Sequence, residues 1–382
     1  MDFTFSEEQQ AAAEAALGVF ADVAPDAVPS PALTTGAVAD EFDRALWARL
    51  ADADLLSLMS AEEYGGAGLD AVALCLVLRE SAKVLARVPL LESSAAMAAV
   101  QEYGGPELKR ELLERAGRGE VVLTVAASGR TGHDPAELAV TARQEEGAGE
   151  GADWILDGVQ TAVPWAYDAD FVVVPAHTAA GRAVLALVPR VHDGVALGEQ
   201  FSTSGERLGE LRLESVRIGA RDVIDVEGAW EWLRDLLTTG TCALALGLGE
   251  RVLRMSSEYT SKREQFGFPV ATFQAVAVQA ADRYIDLRAM EVTLWQAAWR
   301  LTSGARGVLP VAGDVAVAKI WASEGVRRVV QTAQHLHGGF GADTDYPLHR
   351  YHAWAKHLEL SLGPAAAHEE ALGDLLAAHP LG

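Results

Sequence analysis

The chain has 382 residues, of which 50% are hydrophobic and 22% are charged, a composition typical of a folded protein with two or three packed units. Its formal net charge of −23 excludes the basic surface of a nucleic-acid-binding protein and argues against an anionic membrane surface as a partner. No apolar run approaches the roughly 20 residues of a membrane span. The acidic start does not match a signal peptide and the two cysteines form no disulfide framework, so we expect a cytoplasmic protein.

The first third of the chain is predicted to be helical. Ser6 is followed by two glutamates, which is typical of the start of a helix. Apolar residues then recur three and four positions apart. The segments with this spacing are residues 42–50, 74–84 and 108–113. We therefore predict an N-terminal helical domain over residues 1–118.

Short β-branched or alternating runs replace the helical pattern in the middle of the chain. They are residues 121–125, 154–156, 171–174, 183–188 and 211–216. Glycine, proline and aspartate separate these runs, as they do in antiparallel sheets. We predict a middle antiparallel β domain over residues 119–226.

Long alanine-rich segments with helical periodicity occupy the last third. They are residues 230–261, 273–302, 311–335 and 348–378. Short glycine-containing loops join them, which favours an antiparallel bundle. We predict a C-terminal four-helix bundle domain over residues 227–382, and an α+β fold class for the whole chain.

Two segments carry residues that suit a dinucleotide. Arg263 stands at the predicted end of a helix, and its planar guanidinium can pair with two phosphate oxygens at once. Gly338 and Gly339 allow the backbone to approach a ligand closely, and Gln334 lies one turn before them. Either segment alone is an ordinary feature of a helical protein. Because both segments occur in one chain, a dinucleotide site explains them better than coincidence does.

Both segments, at their spacing and within the order helical, β, helical, resemble the acyl-CoA dehydrogenase family over nearly the whole chain. The resemblance implies the fold of that family, FAD as cofactor, an acyl-CoA substrate and an electron-transfer flavoprotein as electron acceptor. It implies that the segment with Arg263 holds the pyrophosphate of the flavin dinucleotide. The segment with Gly338 and Gly339 would meet the adenosine end. The residues that it assigns to the cofactor are Arg263, Phe266, Gln274, Gln334, Gly338 and Gly339.

The catalytic base that the resemblance implies is missing. The family places a glutamate at one of two positions, because a carboxylate must remove the α-proton of the thioester. Leu362 occupies the first position, and Leu237 lies at or near the second. Asp235 faces another side of its helix. Glu359, one turn before Leu362, is the best substitute base in the sequence.

The part of the β domain that would face a flavin ring also departs from the family. Ala162 and Pro164 occupy the positions where the family has a tryptophan and a threonine. An aromatic platform and a hydroxyl donor are thus both lost, unless Trp165 takes over the platform. The histidines between His335 and His357 lack the spacing of metal ligands, so we expect no metal site.

This pattern of kept and lost groups favours one hypothesis and leaves three open. It resembles the base-less partner subunit of actinobacterial heterotetrameric acyl-CoA dehydrogenases, which act on bulky thioesters such as steroid side chains. The partner chain would then be a homologous subunit that carries the base. The alternatives are a self-sufficient homotetramer with Glu359 as base, a flavin monooxygenase of the same fold, and a scaffold subunit that binds no flavin.

Overall fold

The computed structural model describes residues 4–26, 34, 36–39, 41–130, 138–145 and 151–380. Its first part is helical, as predicted. The helices are α1 (Glu7–Phe20), α2 (Arg44–Asp52), α3 (Ala71–Lys83), α4 (Leu90–Tyr103) and α5 (Pro106–Gly117). Ser6 caps α1 as expected: its Oγ accepts from the Gln9 N–H at 3.2 Å, and the Gln9 side chain accepts from the Ser6 N–H at 2.9 Å.

The sequence pattern did not reveal α4. Almost every residue from Leu90 to Val100 is buried, with Glu92 as the exception within that stretch. A helix buried on all sides lacks a polar face, so the period of 3.6 residues disappears from its sequence. Ser93 fixes α4 to the first strand, since its Oγ donates to the Leu123 carbonyl at 2.7 Å and accepts from the Leu123 N–H at 3.1 Å.

The middle of the chain forms a mixed sheet that is mostly antiparallel. Its strands are β1 (Leu123–Val125), β2 (Val140–Gln144), β3 (Trp154–Pro164), β4 (Phe171–Thr178), β5 (Ala183–Pro189), β6 (Val195–Phe201), β7 (Arg207–Ile218) and β8 (Val223–Ile224). The spatial order is β6-β7-β3-β2-β4-β5-β8, with β1 also paired to β4. The expectation of an antiparallel unit needs one correction, because β1 and β2 both run parallel to β4. This central strand is buried along most of its length, which explains its continuous apolar sequence.

Helices resume after the sheet. They are α6 (Ala229–Lys262), α7 (Gln274–Ser303), α8 (Val311–His337), α9 (Leu348–Leu360) and α10 (Ala365–Ala378). A short hairpin of β9 (Glu264–Gln265) and β10 (Phe268–Pro269) lies between α6 and α7. The domain boundaries predicted at 118/119 and 226/227 fall between α5 and β1 and between β8 and α6.

The fourth helix predicted for the C-terminal domain is in fact two helices. The chain breaks between α9 and α10, where Leu362 has φ +56° and Gly363 has φ +96°. Pro364 follows immediately. A proline ring clashes with the preceding helical turn, so α9 does not continue through this position. The break matters because it carries Leu362, the residue at the first expected position of the base.

Helix α6 is the central helix of the C-terminal part. Its length and apolar composition would suffice to cross a bilayer, although we expected no apolar run of that size. However, 78% of its most apolar window is buried inside the protein. It packs against α3, α4, α7, α8 and α9, as a core helix does.

A buried ionic cluster joins all three parts of the chain. Arg350 on α9 is only 1% exposed; its Nε lies 2.7 Å from Asp26 Oδ1, and its guanidinium donates to the Ser204 carbonyl at 2.8 Å. Arg87 donates to Glu206 at 2.6 Å beside it. Such charges tolerate burial only because each has a partner of opposite sign.

Candidate functional site

The hairpin after α6 presents the first cofactor segment to the outside. Arg263 is exposed, and its side chain forms no ion pair within the described part of the chain. Phe266 is 89% exposed at a backbone φ of +55°, and its ring meets the edge of Phe273 at 6.4 Å. Gln274, the first residue of α7, is exposed as well. A large apolar ring held out in this way is unusual for a chain that functions alone.

The glycine turn after α8 forms the second segment. Gly338 has φ +60° and ψ −138°, a conformation that residues with a side chain rarely adopt. A Cβ at Gly338 or Gly339 would meet no atom of the described residues within 4 Å apart from its chain neighbours, so the backbone here is open to a ligand. The Gln334 side-chain amide donates to the Gly338 carbonyl at 3.0 Å. Gln334 thus also shapes the turn.

An aromatic cluster brings the two segments together. Tyr259, one turn before Arg263, stacks on His337 at 4.4 Å and on Phe340 at 5.4 Å. These two residues flank the glycine turn in sequence. The structure therefore places the end of α6 beside the turn after α8, which the sequence motifs alone did not require.

A cavity of about 980 Å³ lies between the β domain and the helices on either side. Leu237 and Leu362 both line it. The two expected positions of the base come from α6 and from the break after α9, yet they meet at one cavity. Ala162 and Pro164, at the positions where the family has a tryptophan and a threonine, line the same cavity.

The break that carries Leu362 is held by two basic residues, the buried Lys319 and the half-buried His368. Lys319 is 1% exposed, and its Nζ donates to the carbonyls of Leu358 at 3.0 Å and Glu359 at 3.1 Å, at the C-terminus of α9. His368 hydrogen bonds to the Leu362 carbonyl at 2.8 Å. Burial lowers the pKa of Lys319 to about 8 and that of His368 to about 4, so His368 is neutral near pH 7.

Glu359 does not lie where a substitute base would have to lie. Its carboxylate accepts from Lys356 Nζ at 2.5 Å, and Glu359 is absent from the described residues that line the cavity. One turn of helix separates it from Leu362, but the side chain takes a different direction. The geometry therefore does not support the expectation that Glu359 reaches the same region as Leu362.

Trp165 lines the cavity but faces the helical N-terminal part. Its ring meets Phe42 at 5.9 Å and lies 5.7 Å from the Arg87 guanidinium carbon. Ala162 is held at φ +51° by Gln200, whose Oε1 accepts from the Ala162 N–H at 2.8 Å. The contacts with Phe42 and Arg87 fix Trp165 against the helices. This position does not favour Trp165 as a replacement for the missing ring platform.

Sequence reasoning missed one carboxylic acid in the cavity. Glu92 on α4 is half-buried and lines the wall near Trp165. Burial raises its pKa to about 7, and hydrogen bonds from its own backbone and from Trp165 offset this effect only in part. Sequence reasoning overlooked Glu92 because it lies on α4, a helix that the sequence pattern did not reveal.

Within the described residues, no group of three or more histidine, cysteine, aspartate or glutamate side chains could hold a metal ion.

Comparisons with known proteins agree with the fold and the motifs. The model of the acyl-CoA dehydrogenase N-terminal domain matches residues 6–120, and that of the C-terminal domain matches residues 238–376. Acyl-CoA dehydrogenase FadE27 of Mycobacterium tuberculosis is 37% identical over an alignment of 387 residues that covers 100% of both chains.

Solved structures give the same result. A chain of the ChsE4-ChsE5 complex from Mycobacterium tuberculosis matches with a TM-score of 0.88 and 36% identity over 100% of both chains. A chain of the Tcur3481-Tcur3483 steroid ACAD matches with a TM-score of 0.86 and 37% identity, over 97% of this chain and 98% of that chain. Structures with the same fold include proteins determined with FAD and with FADH2. The chain therefore belongs to the acyl-CoA dehydrogenase family of oxidoreductases.

Proposed function

We propose that this chain is the base-less subunit of an FAD-dependent acyl-CoA dehydrogenase built from two different subunits, and that it completes the flavin site of its partner. The observation that carries this proposal is that Leu237 and Leu362, at both positions where the family places its glutamate, line one cavity. A leucine side chain accepts no proton, so these positions cannot supply the base that removes an α-proton. A homologous partner subunit would carry the base.

The two exposed segments fit the dinucleotide arm of FAD. With no ion pair in the described part of the chain, the Arg263 guanidinium is available to two pyrophosphate oxygens. The open space around Gly338 and Gly339 would admit the adenosine end of the cofactor. Phe266 and Gln274 would line the approach from the hairpin and from the start of α7. When bound there, FAD would supply the acceptor for the hydride that leaves the β-carbon of the substrate.

An apolar surface next to these segments supports association with another subunit. Phe266 and Phe268 on the hairpin are exposed. Helix α7 then exposes an apolar residue at every seventh position, which places these side chains along one side of the helix. They are Val278, Ile285, Val292 and Trp299. A continuous apolar stripe on a chain of net charge −23 is typical of a subunit interface.

The substrate, acceptor and compartment follow from the same proposal. A bulky acyl-CoA thioester, such as one with a steroid side chain, is the favoured substrate because the Tcur3481-Tcur3483 structure is described as a steroid ACAD. An electron-transfer flavoprotein would reoxidise the flavin, and the acidic, cysteine-poor composition favours the cytoplasm. The self-sufficient homotetramer is less favoured, because the Glu359 carboxylate pairs with Lys356.

Restoring a carboxylate at the first base position tests the proposal. We expect Leu362→Glu, produced without a partner, to show no dehydrogenase turnover above background. The reason is that Ala162 and Pro164 still provide neither an aromatic platform nor a hydroxyl for a flavin ring. Turnover is measured with an acyl-CoA substrate, added FAD and an artificial electron acceptor. Leu362→Gln serves as the matched control, and clear turnover in Leu362→Glu alone would contradict the proposal.

A further inference from the structure

A single residue, Tyr259, contacts both cofactor segments. Its ring stacks on His337 with an interplanar angle of 23° and on Phe340 with an interplanar angle of 14°. Its backbone carbonyl accepts from the Arg263 N–H at 2.9 Å, at the C-terminus of α6. Tyr259 therefore meets the glycine turn with its ring and the start of the hairpin with its backbone.

Directed hydrogen bonds fix the glycine turn to the same group of rings. His337 Nδ1 lies 2.8 Å from the Ala333 carbonyl, and because a carbonyl oxygen only accepts, Nδ1 carries the proton. Burial lowers the pKa of His337, so its ring is neutral near pH 7 and Nε2 is an acceptor. The Tyr346 hydroxyl donates to this Nε2 at 3.2 Å, and the Tyr346 ring packs on Phe340 at 4.5 Å. The rings on both sides of the turn thus have one defined arrangement.

Apart from these rings, the two segments are exposed and have little support. The hairpin has only two residues in each strand, and Gly338 and Gly339 are exposed. Segments with few buried contacts open and shift easily. The distance between Arg263 and the glycine turn therefore depends on the rings that join them. A ligand that bridges two segments binds more tightly when both are already in place, because less ordering accompanies binding.

We propose that Tyr259 is a positioning residue of the flavin site, which holds the Arg263 end of α6 at a fixed distance from the glycine turn. It acts through Arg263 and through the backbone of the turn. The inference rests on the proposed function, because it assumes that FAD bridges the two segments. It adds that their spacing is set inside this chain, before FAD or the partner subunit binds.

Titration of the flavin-depleted complex with FAD, followed by flavin fluorescence, tests the role of Tyr259. We expect Tyr259→Leu, which removes both ring stacks, to weaken FAD binding about tenfold. Tyr259→Phe keeps both stacks and should bind FAD within about twofold of the wild type. Because Tyr259 acts partly through Arg263, the two substitutions should not be additive. The double variant Tyr259→Leu/Arg263→Ala should bind at least about threefold more tightly than the product of the single losses implies.

Tyr103→Leu is the matched control, since Tyr103 meets the edge of Trp232 at 5.6 Å near the other end of α6. It removes an aromatic pair from the same helix, and we expect it to leave FAD binding unchanged. Melting temperatures establish that each variant is folded. Hydrogen–deuterium exchange without FAD gives a second readout, on the complex or on the chain alone. Tyr259→Leu should speed exchange in residues 338–342, and Tyr103→Leu should not.

The outcomes separate this inference from the proposed function. Wild-type FAD affinity in Tyr259→Leu, beside a weakened Arg263→Ala, would overturn the inference and leave the proposed function standing. Unchanged FAD affinity in Arg263→Ala would contradict both. Equal losses in Tyr259→Leu and Tyr103→Leu would mark a general loss of stability and overturn the inference. Equal losses in Tyr259→Leu and Tyr259→Phe would also overturn it, since they would assign the effect to the hydroxyl group.

Discussion

Arg263→Ala is expected to weaken FAD binding by the assembled complex about tenfold to a hundredfold. The bidentate pair of a guanidinium with pyrophosphate oxygens is a charge-assisted interaction, and we expect it to contribute about 1.5–3 kcal/mol in total at this exposed position. Arg263 is exposed and makes no ion pair within the described residues, so its loss should not unfold the chain. The measurement is the FAD content per complex after gel filtration, together with a fluorescence titration of the flavin-depleted complex.

Lys262→Ala is the control for this prediction, because it removes one exposed positive charge from the adjacent position. We expect it to keep the wild-type flavin content. Arg263→Lys keeps the charge without the planar fork and should fall between the two. An Arg263→Ala complex with undiminished FAD affinity would show that this guanidinium does not hold the pyrophosphate. The scaffold hypothesis would then become the better account of the chain.

Arg350→Met is expected to have the largest effect on stability, a loss of about 3–5 kcal/mol in the free energy of unfolding. The substitution keeps much of the side-chain volume but removes the cation that pairs with Asp26 at 2.7 Å. Asp26 and Glu206 would then remain buried with less positive charge beside them. Chemical denaturation followed by circular dichroism measures the change. It should also show whether the N-terminal, β and C-terminal parts still unfold together.

Arg212→Met is the control, since Arg212 lies at the surface and the ion pair that a surface arginine forms, here with Glu210, contributes less than about 1 kcal/mol. Adding Asp26→Asn to Arg350→Met should restore part of the loss, because it removes one of the carboxylates left behind. If Arg350→Met proved as mild as Arg212→Met, the cluster would not be what joins the three parts of the chain.

The elements that the sequence predicts well are those with one buried and one exposed face. Helices α7 and α8 are close to their predicted bounds for this reason. The failures have physical causes of their own. Helix α4 is buried on nearly all sides and so has no periodicity, while the break at Leu362 depends on one proline and two left-handed residues within a helical composition. The parallel pairing of β1 and β2 with β4 is long-range information that local alternation does not contain.

The candidate site also has features that the sequence predicts and features that it does not. The positions of Leu237 and Leu362 follow from motif spacing, and both residues line one cavity. In contrast, Lys319 stands in a helix whose sequence gives no sign that it caps another helix. The pair of Arg350 with Asp26 joins residues 324 positions apart, which no local pattern can reveal. The direction of a side chain could not be predicted either. Glu359 is one turn from Leu362, yet its carboxylate lies toward Lys356.

The central claim is that this chain supplies the dinucleotide-binding half of a flavin site whose other half lies on a different subunit. The most direct measurement is the number of FAD molecules per chain, with the native mass, for the chain produced alone and for the chain produced with its partner. We predict far less than one FAD per chain and an incomplete oligomer for the chain alone, with flavin appearing in the mixed complex. One tightly bound FAD per chain in a homotetramer of this chain alone would contradict the account.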